Sequence, residues 1–342
     1  LLLKDDLGDK WAEYRKKIAN SKLTLGKGKG ENFSGEVIMR ILGEFSKIQR
    51  DNLFKLILMR KEEINLNYES NTIIRVKRLS SGEIEYLPFE EYIVGVLAGE
   101  MPIYFEKEAL KAQAVAARSY ALKKIEYNKD NEYDVVDSVL NQVYLDNYYL
   151  KEAWGNKYVD NINKLREAVN DTSLEYLDYN GEVIDALFFS TSNGYTENSS
   201  LVFNIDLPYL QSVTSMWDSS TSSAFRSTKK ISSSDFYSSL GLEKSNILNF
   251  KVLKRSTTNR ILNLSINSTE FTGRELYDKL GLKSTDFSLK QDGDTIIIDT
   301  VGYGHGVGMS QYGAEGMALE GYSYKDILSH YYVGTSIKKL LN

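Results

Sequence analysis

Cysteine is absent from the 342 residues, and histidine occurs only twice, as His305 and His330. Disulfides and thiolate zinc sites are thereby excluded. A chain without cysteine is compatible with an extracytoplasmic setting. No stretch approaches the ~20 consecutive apolar residues that span a bilayer. A large excess of one charge is also missing. The formal net charge of -5 gives no support for nucleic-acid binding, and no nucleic acid is expected as a partner.

What is present describes an ordinary globular chain, with 42% hydrophobic and 26% charged residues. Tyrosine is abundant at 24 copies. Its flat face and hydroxyl suit sugar rings, and equally suit cores and sheet surfaces. The chain opens on Leu1-Leu2-Leu3 followed by Lys4-Asp5-Asp6, which reads either as the stub of a membrane anchor or as a tag remnant.

Residues 1–66 are charged and helix-leaning, with a Gly26–Gly30 connector, and are expected to form a helical N-terminal extension or spacer. From Asn71 the pattern changes, and 67–342 is expected to be one functional domain. Thr72–Arg78 reads as a strand, Pro88 opens a helix over Glu90–Gly99, and Pro102 interrupts it. A long helix follows over 106–127, and another over 164–177. Tyr176–Tyr179 and Val183–Ser190 form a hairpin around Asn180-Gly181. Residues 212–248 are a serine- and threonine-rich, loop-heavy insertion. Strands are expected at 250–253, 261–266 and 295–300, and helices at 274–280, near Ser310 and at 324–331. Strands and helices without regular alternation predict an α+β fold: a mixed α/β unit of two lobes around a cleft.

Four segments carry residues suited to chemistry. In Glu91–Pro102, Glu100 ends an apolar helix directly before a break. A carboxylate there is ordinarily a solvated helix end. Alternatively Val96, Leu97 and Met101 dry its surroundings and raise its pKa, as a glycosidic acid requires. In Glu108–Ala121, Lys111 and Arg118 stand seven residues apart on one helix face, with Gln113 between them. They read as snorkelling cations on a packed helix, or as a cationic ledge. Placed against Glu100 they would depress its pKa, so substrate positioning is the role they fit. Arginine grips a carboxylate through two parallel bonds.

In Phe188–Asn198 a strand runs into a polar turn carrying Ser192, Asn193, Tyr195 and Glu197; such turns bond to their own backbone or display ligand contacts. In Val301–Ala314, glycines at 302, 304, 306 and 308 alternate with Tyr303, His305 and Val307, leading to Ser310 and Gln311. This is not a phosphate loop, because the Gly-Lys-Ser/Thr ending is missing. The glycines point to close backbone approach, with His305 beside it.

Taken in order, Leu87–Leu122, Phe189–Asn198 and Gly302–Ala314 with its continuation to Tyr332 resemble the stage II sporulation protein D family, which includes amidase-enhancer proteins. The resemblance implies a lytic transglycosylase of sporulation engulfment. Such an enzyme cleaves the N-acetylmuramic acid–N-acetylglucosamine bond of peptidoglycan strands stripped of stem peptides, leaving 1,6-anhydro ends. It implies an extracytoplasmic location with an N-terminal membrane anchor, and an amidase, an endopeptidase and a membrane protein as partners. The family's catalytic glutamate falls on Glu100, and its supporting cations fall on Lys111 and Arg118. Gln113, Ser192, Asn193, Tyr195, Glu197, His305, Ser310 and Gln311 complete the candidate substrate-binding set.

Some relatives carry a zinc-binding Cys/His cluster in a segment ending Cys-Gln-Val-Tyr. Here the end reads Asn141-Gln-Val-Tyr144, so neither metal nor cofactor is expected. Asp134, Asp137 and Asp146 are the ligands left for a hard cation. Two other readings stay open: a hydrolase using Glu197 as second acid, and a non-catalytic glycan binder that activates an amidase.

Overall fold

The computed structural model describes residues 63–66 and 72–340. The extension expected over 1–66 lies outside the described residues except for its last four. Three of these are tied to the later chain: the Ile64 N–H donates to the Asn163 side chain, the Asn65 carbonyl accepts from Asn170, and Leu66 is buried in the main core.

The chain then runs β1 (Ile73–Lys77), β2 (Ile84–Pro88), α1 (Phe89–Glu100), α2 (Lys107–Tyr127), β3 (Val135–Val136), α3 (Asn147–Trp154) and α4 (Tyr158–Asp171). Next come β4 (Glu175–Tyr179), β5 (Glu182–Val183), β6 (Phe188–Phe189), α5 (Ser199–Phe203) and α6 (Asp218–Thr221). A second group comprises β7 (Arg226–Ser232), α7 (Ser233–Leu240), β8 (Phe250–Arg255), β9 (Ile261–Ile266), β10 (Thr269–Thr272), α8 (Gly273–Leu280), β11 (Phe287–Asp292) and β12 (Thr295–Val301). The chain closes with β13 (Met309–Ser310), α9 (Gln311–Leu319), α10 (Tyr324–Tyr331) and β14 (Ser336–Lys339).

The fold is α+β, as expected from the sequence. Its strands form small sheets in the orders β2-β1-β3, β10-β9-β8, β11-β12-β7, β13-β6 and β14-β4-β5. Hydrophobic side chains collect in two clusters. The larger surrounds α2, whose alanines 109, 112, 114, 116, 117 and 121 are all fully buried. Side chains this small let α1, α4, α9 and α10 close on a single helix. The smaller cluster is built from α7, α8 and the strands between β8 and β12, around Phe236, Leu264, Leu276 and Ile298.

Turn chemistry explains most boundaries. Met101 adopts extended backbone (φ -116°, ψ 133°) because Pro102 follows it, and α1 therefore stops at Glu100. Asn180 and Gly181 both have positive φ, the geometry of a two-residue hairpin, and they join β4 to β5.

Three expectations need correction. The helix expected over 164–177 is α4, which ends at Asp171, and Glu175 onward is strand. The second hairpin strand is only Glu182–Val183; Phe188–Phe189 pairs in parallel with β13 instead. The loop-heavy insertion contains β7 and α7, with β7 bonded along its whole length to β12. Thr228 faces outward on this edge strand and Ser232 caps α7, so hydroxyl content is a poor guide to loop.

Candidate active site

Glu100 is the last residue of α1 and is partly buried. Its surroundings are set by two glycines on the same helix. A Cβ on Gly95 would run into the Tyr144 ring, and one on Gly99 would lie 2.5 Å from the Val143 carbonyl oxygen. Only glycine lets the Asn141–Leu145 segment lie on the helix this closely.

The segment is fixed there by several bonds. The Leu145 N–H donates to the Gly95 carbonyl at 3.2 Å, Tyr92 stacks on Tyr144 at 5.5 Å, and the Tyr92 hydroxyl donates to Gln142 at 3.0 Å. The consequence falls on Glu100: the Val143 N–H donates to its Oε1 at 2.7 Å. From the other side the Gln311 amide donates to Oε2 at 3.3 Å.

Burial pushes the Glu100 carboxyl above the usual range, outweighing the Val143 and Gln311 bonds that favour the anion. The negative end of the α1 dipole acts in the same direction. No lysine or arginine among the described residues pairs with it. The group is therefore an aimed carboxyl with a strengthened hold on its proton.

Two tyrosines follow Glu100 and its partner Gln311 in sequence. Tyr104, in the turn after Pro102, is 68% exposed, and its hydroxyl lies 3.4 Å from that of Tyr312, which follows Gln311. The turn is rigid: Lys164 donates to the Ile103 and Phe105 carbonyls at 2.9 and 2.6 Å, and Glu315 accepts from the Glu106 N–H at 2.7 Å. Tyr312 is partly buried against Phe105, while the exposed face of Tyr104 suits a sugar ring.

The other expected site residues are placed differently. Arg118 is 0% exposed, and Glu90 grips it with two bonds of 2.8 Å while it donates to the Glu175 carbonyl at 2.8 Å. All three guanidinium nitrogens are engaged inside the core, so the structure places Arg118, expected to position substrate, in a buried ion pair that ties α2 to α1 and β4. Lys111, also expected to position substrate, is engaged within the protein. Its ammonium is committed to Glu108 at 2.7 Å and to the Tyr324 ring at 4.4 Å. Gln113 is fully buried, out of reach of a polymer, and its amide has no hydrogen-bond partner among the described residues.

Ser192 and Ser310 are also fully buried. Both turn toward Asp218, which accepts from the Ser192 N–H, the Ser215 hydroxyl and the Ser310 hydroxyl. Ser310 is also the N-cap of α9. The Ser192 N–H and the Ser310 hydroxyl hold two motifs to a common carboxylate, while the Ser192 hydroxyl donates to the Ser215 carbonyl. Asn193 donates to Thr258 and to Asp286 at 2.7 and 2.8 Å. Tyr195 is half exposed.

Glu197 is 1% exposed and accepts from the Thr258 hydroxyl and from the Asn198 N–H. His305 accepts from the Val307 N–H on Nδ1 and donates from Nε2 to the Phe188 carbonyl, the arrangement of a neutral ring. Burial lowers its pKa to about 4. The glycines around it do serve close approach: a Cβ on Gly308 would collide with the Leu187 carbonyl oxygen.

The aspartates considered for a hard cation are matched by arginines. Arg75 pairs with Asp134 at 2.6 Å, and Arg78 pairs with Asp137 and Asp146 at 2.9 and 2.6 Å. Among the described residues no cluster of His, Asp or Glu has metal-site geometry.

Of the expected residues, then, only Gln311 is hydrogen-bonded to Glu100. Val143, Tyr104 and Tyr312 were missed by sequence reading. The spacing of Gly95 and Gly99 was the available signal for the first, as a small-residue stripe on one helix face.

The α+β unit thus presents one glutamate, Glu100, aimed by Val143 and Gln311 and holding its proton more firmly than an ordinary carboxyl. The family described as Stage II sporulation protein (SpoIID) matches residues 78–179. Stage II sporulation protein D of Bacillus subtilis (strain 168) is 42% identical over 272 residues, covering 78% of this chain and 79% of that protein. The Bacillus amyloliquefaciens protein of the same name is 41% identical over 276 residues, 79% of this chain and 80% of its own. The amidase enhancer of Bacillus subtilis (strain 168) is 31% identical over 299 residues, 71% of this chain but 40% of its own length. This chain belongs to the stage II sporulation protein D family, whose members take part in sporulation. Among the described residues, no helix is long and apolar enough to cross a membrane.

Proposed function

We propose that this chain is a peptidoglycan lytic transglycosylase that cuts the N-acetylmuramic acid–N-acetylglucosamine bond with Glu100 as its single acid–base group. The observation that carries the reading is the carboxyl of Glu100: aimed by Val143 and Gln311, held above its usual pKa by burial, and paired with no cation among the described residues.

Protonated Glu100 gives its proton to the leaving O4 as the C1–O4 bond breaks. The resulting carboxylate then takes the proton of the muramyl 6-hydroxyl as O6 bonds to C1. No water is consumed, the acid is regenerated, and the product ends in a 1,6-anhydro sugar. One carboxyl group suffices, since the attacking oxygen is already tethered to the reacting sugar. Tyr104 would carry a sugar ring, and Gln311 would orient the acid.

A hydrolase needs a second carboxylate at a set distance. Glu197 suits that role poorly: its oxygens are engaged by Thr258 and Asn198, and it is almost fully buried. The likeness to an amidase enhancer favours a second reading, in which the chain binds glycan and activates an amidase without cutting.

Family membership supports a site of action outside the cytoplasm, in engulfment. The protein would be anchored at its N-terminal side and work with an amidase, an endopeptidase and a membrane protein. Incubating denuded glycan with the parent and the Glu100→Gln proteins tests the reading. Anhydro ends from the parent alone support it; equal digestion by both removes Glu100 from the mechanism. Glycan binding by both with no digestion by either turns the reading to the activator.

A further inference from the structure

A recess of about 410 Å³, lined by neither Glu100 nor its partners Val143 and Gln311, lies between α5, β9 and α8. Glu197 and His305 line it, so two expected substrate residues that do not reach Glu100 meet here. They meet two arginines that no sequence motif singles out, Arg260 and Arg274.

Arg260 is 2% exposed, yet no carboxylate among the described residues comes within ion-pair distance of it. Its Nη atoms donate to the Tyr195 carbonyl at 3.2 and 3.3 Å and to the Thr258 hydroxyl at 3.1 Å, while its Nε has no partner. The guanidinium lies against Gly306, where a Cβ would come within 2.6 Å of it. Buried charges are ordinarily paired, because desolvation costs several kcal/mol. Here the glycine motif makes room for a cation whose direct hydrogen-bond partners are neutral, with Glu197, Asp286 and Asp218 acting on it only through space.

On the rim, Arg274 sits over the Tyr277 ring at 4.8 Å and spends its Nε on Asp278, an exposed pair worth under about 1 kcal/mol. Both arginines act on His305, which stays neutral. Among the lining residues Arg260 and Arg274 stand with one carboxylate, Glu197. Leu201 and Tyr277 supply an apolar side, and Asn263 an amide.

We propose that this recess binds a ligand carboxylate, with Arg274 making the direct grip and Arg260 supplying the buried charge behind it. The proposal rests on the peptidoglycan reading for its ligand: a muramic-acid unit, whose carboxylate is either the lactyl group of a bare sugar or belongs to an attached peptide. The recess would then hold the strand at a distance from the scissile bond.

The test is titration of the full chain, followed by NMR, with three probes that Glu100 cannot cleave. These are N-acetylmuramic acid, a muramyl dipeptide whose lactyl group is blocked as an amide, and N-acetylglucosamine, which has no carboxylate. Binding of either muramyl probe but not of N-acetylglucosamine, weakened by about tenfold in Arg274→Ala, supports the proposal. Which muramyl probe binds assigns the carboxylate. Equal binding of all three, binding of none, or affinities unchanged in Arg274→Ala overturns it. Because Arg274 is exposed, Arg274→Ala retains the fold. Arg260→Lys, which keeps the charge but not the fork, is expected to weaken the same probe. Glycan cleavage by a protein that binds none of the probes removes this proposal and leaves the catalytic one standing.

Discussion

The Val143 N–H reaches the Glu100 carboxylate at 2.7 Å across 43 residues of chain. The bond exists because Gly95 and Gly99 remove two side chains from the face of α1 on which Asn141–Leu145 lies. The carboxyl proposed as the acid–base group is thus aimed by a backbone donor, which no side-chain substitution can delete directly.

Glycine at 99 can be tested first. In Gly99→Ala the new methyl would meet the Val143 carbonyl at 2.5 Å, and backbone cannot yield as a side-chain end would. The expected cost is about 1–3 kcal/mol of stability, with glycan cleavage falling by more than about tenfold in protein that remains folded. Denaturant melts and a cleavage assay on the same sample check both. Full activity would mean that the Val143 bond does not matter.

Glu100→Gln should lose about 10²–10⁴ in cleavage rate yet be no less stable than the parent. The folded-state pKa of Glu100 is raised, so the stability tied to its protonation is present below the unfolded pKa of about 4.3. It is lost as pH rises through the folded value. The neutral amide escapes that loss. The difference in Tm, variant minus parent, should therefore be larger at pH 7 than at pH 4. A difference that shrinks toward neutral pH would contradict the burial argument.

Gln311→Ala removes a donor that favours the anion. The Glu100 pKa should rise further, by less than about one unit for so long a bond. A general acid loses activity as pH climbs past its pKa, so the alkaline limb of kcat/KM should move upward. A limb that stays put, or moves down, would separate Gln311 from the acid.

For Arg118 the sequence suggests a substrate-facing cation, and the structure makes the opposite prediction. Arg118→Met should cost about 3–5 kcal/mol by stranding Glu90 in the core. The double change Arg118→Met with Glu90→Leu should recover most of it, as chemical denaturation would report. A stable Arg118→Met protein with weakened glycan affinity would restore the substrate-positioning role.

That misplacement marks the limit of what the sequence could show. Helical spacing correctly set Lys111 and Arg118 on one face, but periodicity cannot tell a face packed on α1 and β4 from one facing solvent. The breaks at Pro102, Asn180-Gly181 and Gly281 were legible because each arises from local backbone restriction. Ser192 and Ser310 were legible as hydroxyls in turns, yet their target, Asp218, lies 26 and 92 residues away. Contacts of that span leave no local pattern. The same holds for Arg260, which comes from a turn in the second cluster of strands.

The most direct test of the central claim is the mass of the glycan ends released in water enriched in oxygen-18. Intramolecular attack by the muramyl 6-hydroxyl predicts anhydro ends that carry no label, and none at all from Glu100→Gln. Ends heavier by one labelled water would contradict it and require a second acid.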